Sequence, residues 1–221
     1  MSSHDKNIGF QEEKTARYIT EHSQAEDPIL SELSRETNLK VYHPRRSSTR
    51  LSGQLLEMFS KMIQPQKILE IGTFTGYGAI SLAKGLAPEG MLHTIEINDE
   101  MEEFIRKWIE KAGRTSSITL HIGDALKIIP QLNETFDLVF IDGEKDQYSD
   151  YYNILINKVK SGGFILADNV LWSGKIVDEK TPDKDHFTVG IREFNTLVQE
   201  DDRVDNLLLP VFDGIMVIRK K

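Results

Sequence analysis

The sequence predicts an α/β fold built on a doubly wound, mostly parallel sheet, preceded by helices and closed by an antiparallel C-terminal hairpin. Three observations predict it. From Lys67 onward, short and nearly continuous apolar runs alternate with helix-like segments, the pattern of a parallel sheet covered on both faces. The stretch Lys67-Ile-Leu-Glu-Ile-Gly-Thr-Phe-Thr-Gly-Tyr-Gly78 reads as strand, tight turn and helix, and its glycines let backbone approach a ligand closely. Near the end, Asp213-Gly214 joins two apolar runs, which is a hairpin signal.

The helices before the sheet come first in chain order. Gln11 to His22 places Ala16, Tyr18 and Ile19 among charged residues, and Pro28 to Leu39 carries Ile29, Leu30, Leu33 and Leu39. Both fit amphipathic helices, the second opening with Asp27 as N-cap and Pro28 at the first helical position. Gly53 to Ile63 follows with a wide apolar face, and Pro65 stops it. The strands expected next are Ile68–Ile71, Met91–Ile95, Ile118–Ile122, Phe136–Ile141 and Gly163–Ala167. Between them lie helical stretches at Gly78–Leu86, Asp99–Lys111, Ala125–Leu132 and Tyr148–Val159. A helix at Asp185–Gln199 leads to the hairpin runs Val204–Val211 and Ile215–Ile218.

Composition sets the bounds. With 221 residues, 39% hydrophobic and 28% charged, the chain suits a single globular domain, residues 1–64 forming a helical cap and 65–221 the core. No apolar run reaches the about 18 residues that mark a membrane span, and Met1 to Phe10 is too polar for a secretory signal. The absence of cysteine excludes disulfides, thiolate metal sites and cysteine nucleophiles, and suits a cytoplasmic setting. A formal net charge of -8 opposes a broad nucleic-acid surface, although Lys40, His43, Arg45, Arg46 and Arg50 form a local basic patch.

A doubly wound sheet binds ligands at the carboxyl ends of its strands. The polar residues there are Glu70 with Gly72, Gly76 and Gly78, then Glu96, then Gly123-Asp-Ala125, then Asp142, then Asp168-Asn169. Clustered carboxylates need a cation or hydrogen-bond donors to offset their repulsion. The glycine spacing differs from the G-x-G-x-x-G of dinucleotide sites, and an acid beside the turn would repel a pyrophosphate. It suits a ligand with a positive centre. Glu96, after the second strand, is placed to accept hydrogen bonds from ribose hydroxyls. A cationic, phosphate-free adenosine ligand fits both features: S-adenosylmethionine (SAM), with its ammonium and sulfonium.

Five motifs together carry a more specific likeness. Leu69-Glu-Ile-Gly-Thr-Phe-Thr-Gly-Tyr77, Thr94-Ile-Glu-Ile97, Gly123-Asp-Ala125, Phe140-Ile-Asp142 with Lys145 and Tyr148, and Ala167-Asp-Asn-Val-Leu-Trp-Ser-Gly174 resemble the cation-dependent O-methyltransferases. That family includes the caffeoyl-coenzyme A and catechol enzymes and bacterial relatives. The resemblance implies a class I methyltransferase, Rossmann-like sheet with one antiparallel strand in the terminal hairpin, and N-terminal helices that cover the site or support a homodimer. It implies a SAM site lined by Glu70, Gly72, Thr73, Gly78, Glu96, Ala125 and Asp142, joined by Ser48 from the loop before the third helix. Relatives carry serine at the position of Gly78, so a hydroxyl contact to the cofactor carboxylate is replaced here, with a backbone N–H left to serve.

Asp142, Asp168 and Asn169 offer three oxygen ligands from the ends of neighbouring strands. Such a set suits a hard divalent cation, Mg²⁺ first and Ca²⁺ or Mn²⁺ after it. A cation of this kind lowers the pKa of a hydroxyl it holds. Lys145 matches the lysine that serves as general base in the catechol enzymes, a role that needs the neutral amine. Trp172, Ser173, Tyr148 and Tyr151 are candidates for the acceptor wall, with core packing as the alternative for the tyrosines. Two acceptors stay in view: a catechol-like or vicinal-diol small molecule, and a hydroxyuridine in transfer RNA. The patch from Lys40 to Arg50 would meet a coenzyme A phosphate or an RNA, or stand as a solvated loop.

Overall fold

The computed structural model describes residues 14–44, 47–179 and 184–221. Its centre is a seven-stranded sheet in the order β3-β2-β1-β4-β5-β7-β6. The strands are β1 (Lys67–Ile71), β2 (Met91–Glu96), β3 (Ile118–Ile122), β4 (Phe136–Ile141), β5 (Val159–Asp168), β6 (Val204–Leu209) and β7 (Ile215–Lys220). β1 to β5 run parallel, and β7 enters antiparallel between β5 and β6. The class I methyltransferase sheet implied by the resemblance is therefore present. The chain reverses direction across the sheet between β1 and β4, the switch point at which such folds open a ligand crevice.

Alternation along the strands divides the core. Leu69, Val139 and Ile165 face one side with α7 (Tyr148–Leu155) and α8 (His186–Gln199). Ile68, Leu138 and Leu166 face the other with α2 (Pro28–Lys40), α3 (Arg50–Ile63), α4 (Tyr77–Ala83) and α5 (Glu102–Lys111). Glu70 falls on this second side, a buried acid that the register places between Thr94 and Phe140.

The N-terminal helices are set by their caps. Asp27 accepts the Ile29 N–H (2.8 Å) ahead of Pro28, as the sequence predicts. α3 starts at Arg50, three residues earlier than expected, because Thr49 and Ser52 cap each other reciprocally. α1, described over 14–21, is tied to α3 by Arg50, whose guanidinium donates to the carbonyls of Thr20, Ser23 and Gln24. The expected start of that helix at Gln11 lies outside the described residues.

Other boundaries shift for local reasons. α6 (Ala125–Ile128) gives way to a 3-10 turn at Ile129–Gln131 because Pro130 lacks an N–H. α7 ends at Leu155, and β5 begins at Val159 rather than Gly163. Between Phe136 and Leu138 the β4–β5 register slips, so that Val159 and then Phe164 are the successive partners. No helix among the described residues is long and apolar enough to cross a membrane.

Candidate active site

A cleft of about 900 Å³ opens over the carboxyl ends of β1, β2, β4 and β5. Of the residues singled out from sequence, Ser48, Gly72, Glu96, Ala125, Asp142, Lys145, Asp168, Asn169 and Trp172 line it. Glu70, Thr73 and Gly78 line a small adjoining recess shared with Ser48, Gly72 and Asp142. Ser173 is on neither wall. Its N–H is held by Asp213 Oδ1 at 2.5 Å in the turn behind Trp172.

The β1–β2 side is built from register and close approach. Gly72 has φ +94, and a Cβ there would collide with the Asp142 carbonyl, so the β1 turn abuts the end of β4 only as glycine. Register pairs Glu70 with Thr94, whose Oγ1 donates to Glu70 Oε2 at 2.5 Å. The first turn of α4 closes over the same carboxyl, and a Cβ on Gly78 would press against Glu70 Oε1. Burial pushes the Glu70 carboxyl up to about 8, the Asp142 and Glu96 charges adding to it. Glu96 is held from both sides, accepting the Phe74 N–H at 2.7 Å on Oε2 and the Asn98 N–H at 2.9 Å on Oε1. Each oxygen keeps a lone pair for a ligand hydroxyl.

The β4–β5 side carries a different set. Lys145 is only 8% exposed, and its Nζ lies 2.8 Å from Asp142 Oδ1 and 2.6 Å from Tyr148 Oη. Tyr148 is fully buried, and its hydroxyl reaches the carbonyls of Asp168 (3.1 Å) and Ile141 (3.2 Å). It thus stands behind Lys145 and forms no part of the acceptor wall, whereas Tyr151 lines the cleft. Burial and the Asp142 charge push Asp168 up to about 6. Asn169 follows at φ +60.

This donor set fits a hard divalent cation. Two carboxylates and an amide oxygen face one cleft, and Asp168 resists ionisation there, a penalty that a bound cation removes. Among the described residues no three acids or histidines converge as a closed cage. The arrangement is an open one, with positions left for water or substrate oxygens.

Sequence reasoning missed the aromatic rim. Phe187, from the first turn of α8, meets the Trp172 ring edge-on with centroids 6.0 Å apart. Phe212, from the β6–β7 turn, also lines the cleft. Phe212-Asp-Gly214 gave a turn signal and no site signal, because only tertiary packing brings that turn to β5. Within the basic patch Arg50 caps α1, while Lys40 stays exposed at the cleft, paired with Glu36 on its own helix at 2.8 Å. His43 lines the cleft, while Arg45 and Arg46 lie outside the described residues.

Comparison with known proteins follows from this geometry. A family model described as O-methyltransferase matches residues 20–221. Caffeoyl-CoA O-methyltransferase 1 of Eucalyptus globulus is 37% identical over 179 residues, covering 76% of this chain and 72% of the relative. The SAH-bound methyltransferase PaMTH1 of Podospora anserina has a TM-score of 0.87 at 28% identity, over 96% of this chain and 95% of that one. The O-methyltransferase TomG of Streptomyces achromogenes, in complex with SAM, has a TM-score of 0.86 at 27% identity, over 94% and 96%.

Proposed function

Because the chain belongs to the O-methyltransferase family, we propose that it is a divalent-cation-dependent enzyme moving a methyl group from SAM to one hydroxyl of a catechol-like or vicinal-diol small molecule. The observation that carries this reading is the meeting of Asp142, Lys145, Asp168 and Asn169 in the same cleft as Gly72 and Glu96. Asp142, Asp168 and Asn169 would hold the cation, which when bound lowers the pKa of a coordinated hydroxyl. Glu96 takes the ribose hydroxyls, and the Gly72 turn admits the methionine portion close to backbone.

Lys145 takes the proton. The role needs the neutral amine, and the contacts of Nζ with Asp142 Oδ1 and Tyr148 Oη hold that nitrogen where it can meet the acceptor O–H. Tyr148 fixes this orientation, because burial holds its hydroxyl protonated and that proton goes to the Asp168 or Ile141 carbonyl. The acceptor oxygen then forms its bond to the methyl carbon as the carbon–sulfur bond breaks, and the electron pair leaves with sulfur. The rate gain comes chiefly from holding oxygen and methyl in line.

The second reading, a transfer-RNA hydroxyuridine acceptor, would use the same site. The basic patch supports it through Lys40 and His43, which line the cleft, and loses Arg50, which caps α1. Transfer of labelled methyl from SAM to a catechol panel and to unmodified tRNA, with and without a chelator, tests both. The expected result is catechol methylation that stops on chelation and returns with Mg²⁺. Chelator-insensitive transfer would overturn the metal reading, and methylation of tRNA alone would overturn the acceptor.

A further inference from the structure

Five of the non-glycine residues at positive φ line the cleft, and Phe212 is the least expected of them. It sits at φ +53 in the turn between β6 and β7. A bulky aromatic residue in the left-handed region is strained. Burial does not offset that cost, because Phe212 is 53% exposed. Glycine would occupy the position without strain.

The fold nevertheless fixes this turn firmly against the acceptor side. Leu171 N–H donates to the Asp213 carbonyl at 2.9 Å, and Val170 N–H to the Gly214 carbonyl at 3.1 Å. Ser173 N–H donates to the Asp213 carboxylate. Gly214 packs against Leu171 so closely that a Cβ would not fit. The turn is thus locked to the segment carrying Asn169 and Trp172, and Trp172 is itself at φ +47. Three separate elements therefore bring Trp172, Phe187 and Phe212 to the cleft that holds Lys145, Asp168 and Asn169.

We infer that Phe212 determines acceptor specificity, its exposed ring stacking on the planar ring of an aromatic diol opposite the Trp172–Phe187 pair. The inference rests on the small-molecule reading above and narrows it to aryl acceptors. A ring held on its faces keeps both hydroxyls directed at Asp168, Asn169 and Lys145. Stacking of this kind contributes to acceptor binding and leaves the chemical step to other groups.

The test compares wild type, Phe212→Gly and Phe212→Tyr in steady-state methylation of catechol with Mg²⁺ present, alongside thermal melting. Phe212→Gly is expected to raise KM for catechol about tenfold with kcat within twofold. Its Tm should stay level or rise, because strain is relieved, and Phe212→Tyr should keep the wild-type KM. An unchanged KM in Phe212→Gly, or a lowered Tm with kcat and KM both impaired, would overturn the inference while the acceptor reading stands. If wild type transfers no methyl to catechol, the acceptor reading falls and takes this inference with it.

Discussion

On the β1–β2 side of the cleft, both acids are buried and hydrogen-bonded by the fold, although burial holds Glu70 above the usual carboxylate range. Glu70 has the Thr94 hydroxyl, and Glu96 has two backbone N–H groups. On the β4–β5 side the polar groups are held at a cost. Asp142 and Asp168 repel each other with Lys145 close by, and Asn169, Trp172 and Phe212 lie at positive φ. The indole N–H of Trp172 is buried with no hydrogen-bond partner among the described residues. The cofactor half is a finished cradle. Raised carboxyls and positive-φ backbone occur on both sides, Glu70 being held above the usual carboxylate range and Phe74 lying at φ +50 on the first, but only the second gathers open oxygen donors whose mutual repulsion a bound cation would relieve.

The sharpest way to break this comparison is to remove a group from the costly half alone. Asp168→Ala should lower turnover about 10³-fold or more, since the Lewis-acid contribution is worth several kcal/mol. SAM affinity measured by calorimetry should stay within about threefold, because Asp168 belongs to the other side of the cleft. A matching loss of SAM affinity would show that the two halves are not separable.

The reverse experiment targets the finished half. Glu96→Gln keeps the shape but replaces one acceptor oxygen with a donor, which cannot accept the Phe74 or Asn98 N–H. SAM binding should weaken by about 10- to 100-fold, the range for losing a hydrogen bond to a charged group. At saturating SAM, kcat should remain within a few-fold. A kcat collapse with unchanged SAM affinity would place Glu96 in the chemistry and not in the cradle.

The same contrast explains what could be read from sequence. The β1–β2 half was legible because its residues are local to strand ends: Glu70, Gly72 and Glu96 are placed by alternation and by one turn each. Asp142, Asp168 and Asn169 were legible for the same reason. Phe187 and Phe212 were not, because α8 and the β6–β7 turn reach the cleft only through tertiary contacts with the segment after β5. Ser173 stands beside Trp172 in sequence but outside the cleft lining, and the Asp213 that holds its N–H comes from a distant part of the chain. The extension of β5 back to Val159 depends on a register slip that no local pattern announces.

The last expected effect concerns stability and comes from Glu70, the acid buried on the α2–α5 face of the sheet. Burial raises the Glu70 carboxyl from its ordinary 4.5 to about 8. Between those values the folded protein keeps a proton that the unfolded chain has released, so stability falls as pH rises across that window. Glu70→Gln removes the titration while preserving a side chain of the same shape. Ligand-free wild type and variant should therefore diverge as pH is raised from 5 to about 8, wild type losing roughly 2–4 °C of Tm for each kcal/mol. The neutral amide should overtake it at the alkaline end. Parallel melting curves across that range would mean that Glu70 is ionised in the cradle before SAM arrives, with Thr94 and the turn stabilising its charge. In that case both halves would hold a charge that awaits its ligand, and the contrast between them would lie in the open oxygen-donor set of the β4–β5 side.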